Sequence, residues 1–563
     1  MESRLSLLFY LLRYPLLILI LLVVLLDLIA LSLVRLFVSI YESTVIWHGQ
    51  QRKLWKTLRA SRTFSEWRTN AERLDSFMKH DQWRLEDDTQ QLYNAGLVRR
   101  SIRKLREARM KDSDPREVMK HLSHACKKNH AGSMNEGLFT NSYVGTKADV
   151  EDFFAEVETS IKYVTASKNV TSEEKSVFFK SVSRNFGRTA LSLSGGGSIT
   201  YYHMGVLKAL FEQNLLPDVI SGTSGGSLLA AIVCTRTDEE LRQDKIFDPA
   251  VMAPQFTIMK DSWMARFQRL FSEGYLFDVN RGFENVGELT KGHMTFLEAY
   301  QKTGRVLCIT VTPDEANTTT PSKVLNFMTA PDVIISSAVC ASCALPWVLP
   351  STRLLCKTES GEYVKWKGSG VRWRDGSIRS DVPDLSMLNV SFHIVSQVNP
   401  HITIFFYESQ GSPGCPTPHR GGRGWRGGFL ASSLIHMLDL DLKKWLRLCK
   451  DLRLLPAIGE TDVSQVFLQQ FEGSVTVLPA SSNVLADCMY ILRDPTKERL
   501  VDYIRHGELK TWPKLGMIGH KVRIEKLIKK GRQDSLPAAM KTAGMRRYSA
   551  TDDHVITDFF EDL

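Results

Sequence analysis

Asp218-Val-Ile-Ser-Gly-Thr-Ser-Gly-Gly-Ser-Leu-Leu-Ala-Ala-Ile-Val233 is a β-type run, a glycine-framed serine and an apolar helical run in immediate succession. The frame Gly222-Thr-Ser-Gly-Gly226 has the grammar of a nucleophile elbow: Ser224 stands on a strained strand-to-helix turn, and the glycines leave room for neighbouring backbone. A helix that starts at Ser224 also aims its first amides, Gly225 among them, at the point where an oxyanion would form. Taken alone, the motif fits an ordinary glycine-rich turn at least as well, so its neighbours decide.

One crossover earlier, Thr189-Ala-Leu-Ser-Leu-Ser194 is a second β-type run, which leads into Gly195, Gly196 and Gly197 and then into a helical pattern over 198–211. Bare backbone amides can converge on an anion at such a turn, which makes the three glycines candidate oxyanion-hole residues. This turn has neither Gly-Lys-Ser/Thr nor the Gly-x-Gly-x-x-Gly register, so it is not a P-loop or a dinucleotide fingerprint. Two strand–turn–helix units in a row imply parallel strands with helical crossovers. The fold class is then α/β, with its ligand end at the carboxyl edge of the sheet.

Further β-type runs at 305–312 and 371–374 extend that sheet, and the second ends in Asp375-Gly376-Ser377. Aspartate before glycine is an ordinary turn residue. A serine nucleophile needs a base, however, and no histidine stands in a triad-like frame. A partly desolvated carboxylate can do that work, which makes Asp375 the first candidate.

A chain of 563 residues exceeds one simple core. Five segments are expected: a membrane anchor at 1–40, a helical module at 41–185, the catalytic unit at 186–408, a loop with a mostly helical extension at 409–530, and a disordered tail at 531–563. The net charge of +10 suits an anionic surface, and without zinc-finger spacing or an RNA-binding signature that surface is read as lipid, not nucleic acid. Nine scattered cysteines point to a reducing compartment. Cys340 and Cys343 form a C-x-x-C inside an apolar run and read as core thiols.

Between Arg13 and Arg35 lie 21 residues with one charge, Asp27. Over 16–34, sixteen Leu, Ile or Val residues at about −0.3 to −0.6 kcal/mol each outweigh one Asp at roughly +3 kcal/mol. The segment is read as a retained anchor that spans once or dips in as a hairpin. Lys and Arg are denser after it (Arg35, Arg52, Lys53, Lys56, Arg59, Arg62) than before it (Arg4, Arg13), which would keep the bulk of the chain on the cytosolic side. Near the other end, 520–530 is a basic amphipathic stretch suited to anionic lipid or to a solvated face.

Gly195-Gly-Gly197, Gly222-Thr-Ser-Gly-Gly226 and Asp375-Gly376, in that order, resemble the patatin-like phospholipase and lipase family. Leu191-Ser-Leu-Ser-Gly-Gly-Gly197, Tyr202-His-Met-Gly-Val206, Ala341-Ser-Cys-Ala-Leu-Pro346, Ser396-Gln-Val-Asn-Pro-His401 and Thr511-Trp-Pro-Lys514 are similar to its intracellular triacylglycerol lipase branch in fungi and plants. The resemblance covers roughly 41–530. It implies a three-layer αβα fold with a mainly parallel sheet, Ser224 as nucleophile, Asp375 as base, and an oxyanion hole of backbone amides around Gly196 and Gly197, with no metal or cofactor. It further implies a neutral lipid or phospholipid substrate, triacylglycerol above all, met at a lipid droplet or endoplasmic reticulum surface.

Two departures bear on the head group: Ser198-Ile199-Thr200 stands where many patatins carry a basic residue, and Asp375-Gly376-Ser377 replaces Asp-Gly-Gly or Asp-Gly-Ala. Transfer of the acyl group to a lysophospholipid or a diacylglycerol is the alternative within enzymes. His436 and Asp441 have the His-x4-Asp spacing of glycerolipid acyltransferases, a spacing that a chain with 14 histidines produces about once by accident. An inert lipid-droplet scaffold is the alternative of another class.

Overall fold

The computed structural model describes residues 2–86, 91–110, 114–256, 261–314, 321–366, 372–403, 405–419, 424–455, 457–458, 461–462, 469, 471–479, 487 and 489–536. Its centre is a seven-stranded sheet. We number its strands β1 (Arg188–Leu193), β2 (Val219–Gly222), β3 (Val306–Pro313), β4 (Lys323–Leu325), β5 (Trp373–Asp375), β6 (Val390–Ser396) and β7 (Val475–Val477). The order is β7-β6-β1-β2-β3-β4, with β5 also on β3. The five strands from β7 to β3 run parallel. All eight residues of β3 are buried, as expected of an inner parallel strand covered on both faces. At the far side β4 and β5 pair with β3 antiparallel, so the mainly parallel sheet ends in a mixed edge.

The two strand–turn–helix units fall where the glycines place them. Leu193 of β1 lies in register with Gly222 of β2, so both turns open at the same carboxyl edge. Helix α2 (Tyr202–Glu212) follows the first turn and α3 (Gly225–Cys234) the second. Helix α3 carries Ser-Leu-Leu-Ala-Ala-Ile-Val-Cys, all buried, which makes it a central helix of the core.

A single apolar core runs from Leu58 of the helical module through the sheet to Ile528 near the other end. The region after 409, expected as an extension, contributes β7 to the sheet and two helices to this core, α5 (Lys497–Thr511) and α6 (Leu515–Ser535). Helix α5 crosses α2 at a glycine pair, where a Cβ on Gly205 would strike the Gly507 Cα and the Glu508 amide at 2.8 Å. Helix α6 packs on the helices Ala148–Ala166 and Ser172–Phe186.

The basic stretch at 520–530 buries one face in this core and leaves Arg523, Lys529 and Lys530 exposed on the other. The His520 ring stacks on Phe154 with centroids 4.5 Å apart, and buried Lys521 donates to the Phe186 carbonyl at 2.6 Å. The helix also continues through Ser535, past the expected start of the tail, while 537–563 lies outside the described residues.

The N-terminal apolar segment is one continuous helix, α1 (Glu2–Tyr41), closed by a π-type turn at Glu42–Ile46. The hairpin alternative is not realised: there is no re-entrant turn within it. Residues 12–46 form a candidate membrane span by length and composition. One face of α1 packs on α4 (Phe429–Asp451), with Leu31 and Val38 against Ile435, Leu438 and Leu442. Ile20 clusters with Cys449 and Leu454, so the two helices run antiparallel.

Candidate active site

Ser224 is the N-cap of α3 with φ 51° and ψ −130°, a backbone conformation that costs a non-glycine residue about 1–3 kcal/mol. The strain is held in place from two sides. The Ser224 amide donates to Ser342 Oγ at 2.9 Å, and Ser342 Oγ in turn donates to the Thr310 carbonyl of β3 at 2.8 Å. The Ser224 carbonyl accepts from Ser227 Oγ at 2.6 Å. Unlike most N-cap serines, Ser224 makes no capping hydrogen bond with its own side chain, which leaves the hydroxyl to face the site.

The glycines of the frame are required by close approach. A Cβ on Gly226 would stand 2.5 Å from the Ser194 carbonyl oxygen, and one on Gly222 would stand 2.6 Å from the Ser227 Cα. On Gly225 it would stand 2.7 Å from Thr200 Oγ1 and 2.8 Å from the Gly197 carbonyl, so the elbow and the cradle touch directly.

The first turn divides its labour differently from the sequence expectation. Gly195 was expected as an oxyanion donor, yet its amide is occupied: it donates to Asp381 Oδ1 at 2.7 Å. What Gly195 contributes is the absence of a side chain, since a Cβ there would lie 3.1 Å from the Ser224 Cβ. The amides of Gly196, Gly197 and Gly225 donate to no described residue and remain as the available set. Gly196 has φ 149° and Gly197 φ 58°, values that L side chains rarely adopt.

Asp375 ends β5 and is fully buried. Because β5 runs antiparallel to β3, with Asp375 opposite Val311, it brings its carboxyl to the catalytic edge from the opposite direction to β1 and β2. Asp375 Oδ1 accepts the Ser377 amide at 2.8 Å, and a Cβ on Gly376 would lie 2.7 Å from the Thr310 carbonyl carbon. Burial pushes the Asp375 carboxyl up to about 7, and the Ser224 hydroxyl is the strongest of the groups that oppose that rise. Asp375 Oδ2 makes no closed hydrogen bond to a described residue. The serine and the aspartate thus face each other across a contact of the kind that tightens when substrate binds.

Two supports lie beyond what the motifs announced. Asp381 is buried at the centre of a small network: Oδ1 takes the Gly195 amide, while Oδ2 accepts from Asn399 Nδ2 at 2.8 Å and Gln397 Nε2 at 3.2 Å. Its own carbonyl accepts from Thr223 Oγ1 at 2.8 Å, which ties the cradle to the elbow. Burial raises the Asp381 carboxyl to about 6 against the pull of these donors. The second support is Ser342, which sits two residues beyond Cys340 on the helix Ile335–Ser342. Burial pushes the Cys340 thiol up to about 12 and raises that of Cys343 well above its ordinary value, in keeping with core thiols.

His203 bridges Ser396 Oγ at 2.7 Å and the Ser194 carbonyl at 3.0 Å beneath the cradle. Burial lowers it to about 4, so it is a neutral strut between two strands.

His436 and Asp441 do not assemble. Five residues on a helix rotate a side chain by about 140°, and on α4 His436 is exposed while Asp441 is bound to Lys444 and accepts from Trp445 Nε1 at 3.1 Å.

A model of the family described as patatin-like phospholipase matches residues 191–386, and one described as a domain of unknown function, DUF3336, matches 44–184. Triacylglycerol lipase ptl2 of Schizosaccharomyces pombe is 40% identical over 511 residues, covering 90% of this chain and 79% of the relative. The chain belongs to the patatin-like phospholipase family. A patatin-like phospholipase domain-containing protein of Chaetomium globosum is 40% identical to this patatin-like protein over 553 residues, 95% of the chain. The chain spans 63% of that relative's length. The crystal structure of the type III effector ExoU gives a TM-score of 0.18 at 15% identity over 45% of this chain and 53% of that one, a likeness too slight to carry an argument.

Proposed function

We propose that this patatin-like protein is a lipid ester hydrolase with Ser224 as nucleophile and Asp375 as general base, and that triacylglycerol is its main substrate. The observation that carries the reading is a buried Asp375 carboxyl, raised to about 7, facing a hydroxyl on strained backbone. Asp375 takes the Ser224 proton as Oγ attacks the ester carbonyl. The tetrahedral oxyanion forms within reach of the Gly196, Gly197 and Gly225 amides, at the positive end of α3. Loss of the alcohol leaves an acyl-serine, which water resolves.

The name of the fission yeast relative supports triacylglycerol as substrate, and the exposed apolar face of α1 supports work at a lipid surface. That surface is the lipid droplet or the endoplasmic reticulum, with the catalytic unit in the cytosol. The test is fatty-acid release by the wild-type chain from emulsified triacylglycerol and from phosphatidylcholine vesicles, together with labelling by a fluorophosphonate probe. Labelling at Ser224 and faster release from triacylglycerol are expected; faster release from vesicles would overturn the substrate, and absence of labelling in folded protein would overturn the chemistry.

The Asp381 network gives a separate expectation. In Asp381→Asn one carboxylate oxygen becomes an amide nitrogen, which meets donors from Gly195, Gln397 or Asn399 and loosens the cradle. Turnover is expected to fall by about 10²–10³-fold, the size of effect seen when an oxyanion donor is lost. KM should change far less, and steady-state kinetics on a soluble short-chain ester separates the two; fluorophosphonate labelling of Ser224, whose transition state draws on the same cradle, should slow along with turnover.

A further inference from the structure

We infer that α1 lies lengthwise in a single phospholipid leaflet, still zipped to α4, and does not cross the membrane. This rests on the proposal above that the protein works at a lipid surface. The argument begins with where the charges of α1 point. Over 12–41 the only ionisable groups of the Asp, Glu, Lys, Arg and His kinds are Arg13, Asp27 and Arg35. At 100° per residue these three fall with the buried Ile20, Leu31 and Val38 in one arc of about 80°, the arc that faces the protein.

Each of the three is met from the protein side. Arg13 donates to the Leu454 and Leu455 carbonyls at 3.1 and 3.2 Å. Asp27 faces Asp441 of α4 with Lys444 beside them, and its Oδ2 is buried without a hydrogen bond to a described residue. Arg35 reaches the Phe406 carbonyl at 3.5 Å and lies 5.7 Å from the Tyr407 ring centroid. The end of the helix is pinned as well: Arg426 grips Glu42 at 2.9 and 3.2 Å, and Gly427 comes so close that a Cβ there would stand 2.5 Å from Val38 Cγ2.

Over 12–41 the opposite face carries no charged residue. Ile18, Leu22, Leu26, Ile29, Leu33, Phe37 and Ile40 are each about half exposed, and Phe429, Leu430, Leu434 and Met437 on α4 widen the patch at one end. A helix that crossed the bilayer would have two choices. If it kept α4, it would carry the exposed cations Lys444, Arg447 and Lys450 into the acyl chains. If it left α4 and the segments packed beside it, it would strip the partners from Arg13 and Arg35 and carry Asp27 into the acyl chains. An in-plane helix does neither, because its apolar face enters the leaflet while its charged face stays on the protein.

The test uses the full chain with an added N-terminal epitope, made in the presence of sealed endoplasmic reticulum microsomes, with Ile20→Cys placed beside native Cys449. The expected result is that the protein sediments with the microsomes, that external protease removes the epitope, and that oxidation links residue 20 to Cys449 in the membrane-bound pool. Protection of the epitope until detergent is added, or loss of the link on binding, would overturn the in-plane arrangement. Failure to sediment at all would instead overturn the lipid-surface reading beneath it. The paired change Leu26→Lys and Leu33→Lys touches only the outer face and should lower the bound fraction at least tenfold with the 20–449 link retained; unchanged binding would overturn the role of that face.

Discussion

Replacing Ser224 by alanine is expected to lower ester hydrolysis by about 10⁴-fold or more, leaving only what the cradle and binding contribute. The fold should survive it. The Ser224 side chain makes no cap, and the contacts that hold its strained backbone come through its amide and carbonyl, both of which alanine keeps. Surface and cap contributions being absent, the unfolding free energy should move by less than about 1 kcal/mol. Fatty-acid release and the thermal midpoint, measured on one preparation, separate chemistry from folding. Activity within tenfold of wild type would remove Ser224 from the mechanism.

Asp375→Asn is expected to cost about 10⁴-fold, the scale on which loss of a carboxylate partner acts in serine hydrolases. The substitution is nearly isosteric and keeps an oxygen for the Ser377 amide, but an amide cannot accept the Ser224 proton. The pH dependence follows from the same group. A general base works in its ionised form, and burial places the Asp375 carboxyl at about 7. The kcat/KM of the wild-type chain should therefore be full above that value and fall about tenfold per pH unit below it. As pH drops below about 6, protonation of Asp381 should loosen the cradle and steepen the fall. An acid limb near pH 4 in place of 7 would mean that Asp375 is not the titrating base.

The elbow was legible because its constraint is local: three glycines and a serine within five residues prescribe a strand, a turn and a helix. The cradle was legible for the same reason, and the parallel pairing of β1 with β2 follows from the helix between them. Asp375 was legible as a residue but not as a direction, since nothing in Trp373-Arg-Asp375 says that this short strand enters the sheet antiparallel. Asp381 and Ser342 were illegible because their partners, Gly195 and Ser224, lie 186 and 118 positions away. The same distance in sequence hid the fate of Gly195, whose amide is bound by a carboxylate from another part of the chain. At His436 and Asp441 the spacing is one that chance supplies, and helical rotation separates the two residues.

The position of β7 at the end of the sheet has a consequence for how the chain can be divided. Among the described residues only β7 covers the outer edge of β6, and it comes from 475–477, well beyond the part that carries the chemistry. A fragment ended after 408 would hold the serine, the aspartate and the cradle, yet it would leave β6 with an open row of amides and carbonyls, the template on which sheets from separate chains fuse. It would also uncover the groove of α2 that Gly205 shapes for α5. The later segment thus acts as a selvedge that keeps the sheet a single molecule.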